Sequence, residues 1–397
     1  MAPEIAELRR SPNTRRAGAH LTSAHERERR LGALRSLMDE QGHVAWIIGA
    51  RGDEFMRGRI QYVSDVYLWG GWGFVVLPAS GDTVFLADPL AGFMGEDAGW
   101  IGEARLTQTP ASEMRGILSD LGVAEGRVGV VGLSDIVSAV HLAAFAAALP
   151  GCELVDATDL FDDVRAIKSA EEISNLEETS AVLRAVFAAL AAEIRPGVDE
   201  RDMLAEAHRL CRQYGCLDGI AMVGRPPAAG FAPGMGGTIG IDDVIVVDLE
   251  WGGPSGYWLE LRRCFSFGPP PDAIRRYWER RVETFDACVA AMVAGASSDA
   301  ILTARDTADA RYGYTAGDDV RYSAHGIGID SLEPPWAPGK ERTLAEGMVL
   351  SLHPNVTLSP AEAARYGAVS VGDSVLVTST GGRRLTYERE EWVVLER

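Results

Sequence analysis

Cysteine is scarce and unpatterned in this chain. Cys152, Cys211, Cys216, Cys264 and Cys288 are odd in number and widely scattered, and no pair has Cys-x-x-Cys spacing. A zinc ribbon, a dithiol redox motif and a disulfide scaffold are therefore excluded, and a reducing compartment is expected. Long apolar runs are missing too. The most apolar stretch, Val140 to Leu149, is closed by Pro150 and falls short of the ~18 residues that a spanning helix needs. Glu4, Glu7, Arg9 and Arg10 leave no apolar core for a signal peptide near the start, so a cytoplasmic protein is expected. Basic residues are the third shortage: 38 Lys and Arg stand against 57 Asp and Glu, a formal charge of −19. Such a surface repels phosphate backbones and anionic lipid, which argues against nucleic acid and membranes as partners.

Several nucleotide and nucleophile motifs are also absent. There is no Walker-type loop and no Gly-x-Ser-x-Gly elbow. Gly234-Met235-Gly236-Gly237 has neither a strand before it nor a helix after it, so it is no dinucleotide fingerprint. Ser370 has no histidine near it in sequence, which makes a Ser–His nucleophile a poor reading.

What is present is an ordinary globular composition, 47% apolar and 24% charged over 397 residues, enough for roughly two or three domains. Residues 1–24 lack periodicity and read as a loose arm. Residues 25–158 alternate strand-like and helical runs, as expected of one α/β domain. The strands are His43–Ile48, Ile60–Val63, Gly73–Leu77, Thr83–Leu86 and Arg127–Leu133, with a hairpin turn at Ala79–Asp82 and a helix at Val137–Leu149. Residues 159–397 form the second domain. Ser169 with Glu172 three residues on predicts a capping box at the start of a long helix, and Asp199 predicts the cap of the next. Beyond a Gly- and Pro-rich loop, 224–240, strands at Val244–Glu250 and Tyr257–Phe267 flank a Gly-Gly-Pro-Ser-Gly turn. Helices at Asp272–Val293 and Ser298–Tyr312 follow. The remaining short strands are Val320–His325, Met348–His353, Ser374–Thr378 and Glu391–Val394.

The hairpin carries the first chemical signal. With its turn centred on Pro254, Asp248 pairs with Glu260. Two opposed carboxylates on apolar strands need a cation, a shared proton or water. Of the seven histidines, only His325 and His353 lie beyond residue 210, and both sit at strand ends. Alternation puts His353 on one face with Val349 and Ser351, opposite Met348, Leu350 and Leu352.

These segments resemble the pita-bread fold of methionine aminopeptidases, prolidases and creatinases. Arg165 to Ile173 looks like the linker-helix entry of the prolidase and creatinase branch. Asp243–Asp248 matches its GD-x-V-x-x-D strand, and Gly256-Tyr257 through Glu260 to Arg263 its GY-x-x-D-x-x-R strand. His325-Gly326-Ile327-Gly328 followed by Glu333-Pro334-Pro335 looks like its HGIG…HE-x-P segment. Gly347-Met348-Val349 and Asp373–Thr378 complete the set, which covers about residues 25–395 in order. The resemblance implies an α/β creatinase-like N-terminal domain, an α+β pita-bread C-terminal domain, and a homodimer in which the N-terminal domain reaches the neighbour's site. Phe55, Arg57, Arg59 and Tyr62 lie in the stretch that would reach; an arginine there would clamp a substrate carboxylate.

Where the peptidases hold two metal ions with Asp, Asp, His, Glu and Glu, this chain has Asp248, Glu260, His325, His353 and Gly372. Leu332 and Phe231 stand where the peptidases carry histidines. The resemblance thus implies a mononuclear site of two imidazoles and one carboxylate at Glu260, His325 and His353. That ligand set suits Fe(II), with Mn or Zn as further candidates. Asp248 would be a fourth ligand or an orienting group, acting in catalysis with His325 and His353. Arg263 would orient Glu260 or form a structural salt bridge. An ordinary aminopeptidase or prolidase is not expected on these grounds. The expected activity is a hydrolase, lyase or oxygenase acting on a small polar or amino-acid-like molecule. A metal-free, creatinase-like C–N hydrolase and a non-catalytic scaffold are the alternatives.

Overall fold

The computed structural model describes residues 22–396 apart from 54, 95–99, 227, 229, 315–322, 334–340 and 357. The expected N-terminal arm lies, as far as residue 21, outside the described residues. Two compact units divide between Arg165 and Ala166.

In the first unit β1 (His43–Arg51) is the strand on which the sheet is built. It pairs antiparallel with β3 (Trp72–Pro78) and parallel with β7 (Gly126–Val131). The other strands are β2 (Tyr67–Gly70), β4 (Val84–Ala87), β5 (Gly92–Met94), β6 (Glu103–Leu106) and β8 (Cys152–Asp156). The six-stranded order is β6-β4-β3-β1-β7-β8, with β2 and β5 paired separately. Gly81, at φ 98°, makes the expected turn between β3 and β4. Ala45, Ile47, Phe74, Val76 and Leu86 bury one sheet face against Met114, Leu118 and Phe145, which come from helices Pro110–Asp120 and Ala139–Ala148.

One element expected here is corrected. Ile60–Val63 is not a strand but part of a helix, Gly58–Ser64, every residue of which is buried. A short apolar run enclosed on all sides carries no periodicity to separate the two states. The same helix overturns the expected role of Arg59 and Tyr62. The Arg59 guanidinium donates to both oxygens of Asp135 and both of Asp162, at 2.8–3.1 Å. Arg59 is buried, so it is neither a surface residue nor available to clamp a substrate. Tyr62 is fully buried and meets Phe161 edge-on, with ring centroids 5.8 Å apart.

The second unit opens with helix Ala170–Glu193. Its capping box is formed as the spacing predicts, with Ser169 and Glu172 bonded reciprocally. Asp199 caps helix Glu200–Gln213. The eight-stranded sheet runs β12 (Ala324–Gly326), β13 (Val349–Leu352), β14 (Asp373–Thr378), β11 (Trp258–Phe267), β10 (Val244–Gly252), β9 (Asp218–Gly224). β15 (Gly381–Arg384) adds to β14 and β16 (Val393–Leu395) to β11. β9 was not expected. Phe285, Cys288 and Met292, from helix Asp272–Ala291 and its end, and Ile301, from helix Asp299–Ala310, pack on Leu350, Leu352, Val375 and Val377. Each large apolar side chain so buried contributes about 1.5–3 kcal/mol. That packing fixes which way β13 and β14 face, and alternation turns Ser351, His353 and Ser374 to the opposite side.

The β10–β11 register also differs from expectation. Residue numbers of partners sum to 510, not 508, so Glu250 faces Glu260 and Asp248 faces Arg262. The loop is 253–257 and is centred on Ser255. Tyr257 leaves the ladder because its carbonyl accepts from Gly253 and from the Thr179 hydroxyl, while its own hydroxyl donates to Glu172. Among the described residues no helix is long and apolar enough to cross a membrane.

Candidate metal centre

The sheet register aligns the polar side chains in two neighbouring rows on one face. In the first, His325 pairs with Ser351 and Ser351 with Ser374. The pairing of Leu261 with Asp373, continued by one residue, sets Ser374 beside Glu260, and Glu250 follows. Ser374 Oγ accepts from Glu260 N at 3.1 Å and donates to Glu260 O at 3.2 Å, which fixes that backbone. In the second row the register runs from His353 through Gly372 and Arg262 to Asp248; Arg262 N donates to Gly372 O at 3.1 Å.

Glu260 and His325 of the first row and His353 of the second come together where the rows lie side by side, each offering one ligand atom, all within 4.8 Å of one another. Both imidazoles aim Nε2 at the same carboxylate oxygen: His325 lies 3.3 Å and His353 3.7 Å from Glu260 Oε2. His325 Nδ1 lies 3.0 Å from the Gly326 carbonyl. A carbonyl only accepts, so Nδ1 carries a proton, and Nε2 is left to face Glu260, donating to it when the ring is charged and free to ligate a metal once that proton leaves. Ser351 donates to the same Oε2. Two imidazoles and a carboxylate, convergent and buried, are a donor set that fits a first-row divalent ion.

The electrostatics follow from burial and close opposite charge. Burial alone would raise the Glu260 carboxyl, but His353, Arg262 and His325 hold it well below the ordinary range. Burial would lower His325, yet the hydrogen bond and charge of Glu260 raise it above its usual value. Asp248 is fully buried and pushed well above the usual aspartate range; Arg262 opposes that shift, while Glu260 and Glu250 add to it. Glu250, opposite Glu260, is pushed up to about 7 by burial and by that neighbour. The Arg262 cation relieves the Glu260 side of this opposed pair, and the raised Glu250 carboxyl takes up a proton more readily than an ordinary glutamate. Ser331 donates to Glu250.

Beside the cluster lies a cavity of about 670 Å³, lined by His353, Asp248, Arg262, Phe231, Tyr277 and Ser370 among others. Phe231 packs under the Arg262 guanidinium, 4.9 Å from ring centroid to carbon. Asp248 Oδ1 and Ser370 Oγ are buried without a hydrogen-bond partner.

The structure brings together Glu260, His325, His353 and Phe231, and separates others. Asp248 bonds to Arg262 at 2.8 Å and is not part of the three-ligand cluster. Arg263 does not orient Glu260. It faces the other side of β11, donates to Glu390 at 2.7 Å and stacks on Tyr387. Leu332 is half exposed and does not line the cavity. Arg262, Glu250 and Ser351 were not named as site residues. A turn one residue later would have marked the first two; Ser351 shares the face of His353.

The metallopeptidase family M24 model matches residues 174–379, and the creatinase/prolidase N-terminal domain model matches residues 30–167. The Xaa-Pro dipeptidase of Pyrococcus furiosus is 29% identical over 240 residues, 59% of this chain and 66% of that protein. The alignment thus spans just under two thirds of that relative. The probable dipeptidase PepE of Mycobacterium tuberculosis is 26% identical over 66% of this chain and 69% of its own length. The crystal structure of dipeptidase PepE from Mycobacterium ulcerans superposes with a TM-score of 0.75 at 23% identity, covering 95% of this chain and all of the other. The fold is therefore a creatinase-type N-terminal domain followed by a pita-bread domain. The expectation set against an ordinary peptidase is corrected, because peptidase is the activity these relatives are named for. The matched model covers more than half of the chain, and the chain belongs to metallopeptidase family M24.

Proposed function

We propose that this protein is a metal-dependent dipeptidase working with a single divalent ion at Glu260, His325 and His353. The observation that carries the reading is the convergence of both Nε2 atoms on Glu260 Oε2, with His353 also lining the cavity. A divalent ion held there, manganese, iron or zinc, supplies Lewis-acid polarisation of the scissile carbonyl and a water of lowered pKa. The chain's own residues do the positioning. Ser351 and Arg262 fix the Glu260 carboxylate from two sides, and the Gly326 carbonyl fixes the His325 ring.

The cavity has the size of an ordinary small-ligand site and suits a molecule of dipeptide dimensions. Phe231, Tyr277, Val356 and Val369 offer it an apolar wall. Asp248 Oδ1 and Ser370 Oγ, which no protein group satisfies, offer an acceptor and a hydroxyl to the substrate's backbone polar groups.

The test is hydrolysis of a panel of dipeptides, with Xaa-Pro members, by protein loaded with each metal in turn. The reading expects turnover that chelation abolishes, that added metal restores, and that Glu260→Gln lacks. Turnover that survives chelation contradicts it, as does metal-loaded protein that cleaves no dipeptide.

A further inference from the structure

Every cation that could neutralise a buried carboxylate in this site matters, and one of them is part of the chain. Asp248 and Glu260 are 0% and 3% exposed. Arg262 stands between them: Nε donates to Asp248 Oδ2 at 2.8 Å and Nη2 to Glu260 Oε1 at 2.7 Å. Glu260 is thereby divided, with Oε1 on the guanidinium and Oε2 on Ser351 and the two histidines. The neighbouring position in the row is Gly372, and its lack of a side chain leaves the guanidinium room. A Cβ at Gly372 would lie 2.8 Å from Arg262 Cδ, 3.1 Å from Cγ and 3.2 Å from Nε. A side chain at 372 would push the Arg262 side chain out of the place it holds between the two carboxylates. One acceptor is left over: Asp248 Oδ1 is buried and has no hydrogen-bond partner.

We propose that Arg262 is the resident second cation of this site. It fills, with Gly372 making room, the place between Asp248 and Glu260 where a second divalent ion would otherwise bind, and so restricts the centre to one metal ion. Arg262 is a positioning residue, acting on the metal through Glu260. A guanidinium donates hydrogen bonds only, keeps its charge at any working pH and carries no exchangeable water. It therefore neutralises the carboxylates without adding a second Lewis acid. Asp248 becomes a latent ligand, held back from metal by its arginine partner. The inference deepens the single-metal reading and rests on it.

Metal-free wild-type protein, Arg262→Ala, Arg262→Lys and the double variant Arg262→Ala/Gly372→Glu are titrated with Mn(II) by calorimetry, and the bound ions are counted by native mass spectrometry. Wild type and Arg262→Lys are expected to bind one equivalent. Arg262→Ala is expected to gain a second, weaker one, which Asp248→Asn in that background removes. The double variant, with a third carboxylate in the row, is expected to bind the second ion roughly tenfold more tightly or better, in line with affinity rising with ligand charge and number. If Arg262→Ala folds only in Mn(II), rescue that requires Asp248 supports the assignment equally, and no rescue overturns it. One equivalent in all four proteins, or two in wild type, also overturns it. No equivalent in wild type with one gained in Arg262→Ala would sink the single-metal reading and leave the Arg262 assignment standing.

Discussion

Each unit of this protein buries an arginine–carboxylate cluster, and the two are finished differently. In the N-terminal unit, Asp162 receives Arg59 on both oxygens and Arg165 on one, while Arg59 spends its remaining donors on Asp135. Burial works to raise the Asp162 carboxyl, but Arg165 and Arg59 hold it below the ordinary range. In the C-terminal unit, Arg262 serves Asp248 and Glu260 with one nitrogen each, Asp248 Oδ1 is left without a partner, and burial wins, pushing Asp248 up. The first cluster is closed and holds a fold together. The second is open on a cavity and beside the three convergent side chains, Glu260, His325 and His353, proposed to hold the metal. A buried charge network that satisfies itself is structural; one left incomplete at a cavity wall marks a site.

Substitutions can sharpen that contrast, and the largest effect belongs to the metal donors. His325→Ala or His353→Ala should lower bound metal and dipeptide turnover by roughly a hundredfold or more, since loss of a ligand exceeds the ~10–100-fold typical of its supporting residues. Elemental analysis beside a rate measurement checks it, and the melting temperature of the metal-free protein should change little. Next, Asp162→Asn should destabilise the N-terminal unit by about 3–5 kcal/mol, the range for breaking a buried pair. Asp248→Asn should cost clearly less, because Arg262 keeps Glu260. Urea melts of the two variants make the comparison, and equal losses would erase the distinction drawn here.

Acid probes the same difference without mutation. A carboxyl held low by folding stabilises fully above its unfolded value, ~3.9 for aspartate, and loses that contribution as pH falls through its folded value. The Asp162 cluster should thus persist at pH 5 and fail only on further acidification. Hydrogen exchange in helix Thr158–Ala166 reads this out. The smallest effect expected is that of Ser351→Ala. Removing the hydroxyl that fixes Glu260 should weaken metal binding ~10–100-fold and leave the fold intact.

Much of this was legible in the sequence, and the misses have physical causes. His325 and His353 stand out because few histidines occur late in the chain, and the alternation of Leu350 and Leu352 around Ser351 states which way His353 faces. The Ser169–Glu172 spacing fixes a helix start because capping is local. Arg262 was hidden for two reasons. β10 and β11 are buried along their whole length, so hydrophobic pattern does not set their register. Motif resemblance also draws the eye to Arg263, one residue on, which faces the opposite side and ends in a salt bridge with Glu390. A shift of one residue in the turn exchanged Glu250 for Asp248 as the partner of Glu260. Ile60–Val63 was misread because a fully buried single turn of helix has no polar face to reveal its period.

The central claim is that three side chains make one metal site in a family M24 fold. Titration of metal-free protein with Mn(II), beside His353→Ala, tests it most directly. The account predicts one equivalent for the parent and none at comparable affinity for the variant. Two equivalents in the parent, or binding that His353→Ala leaves unchanged, would contradict it.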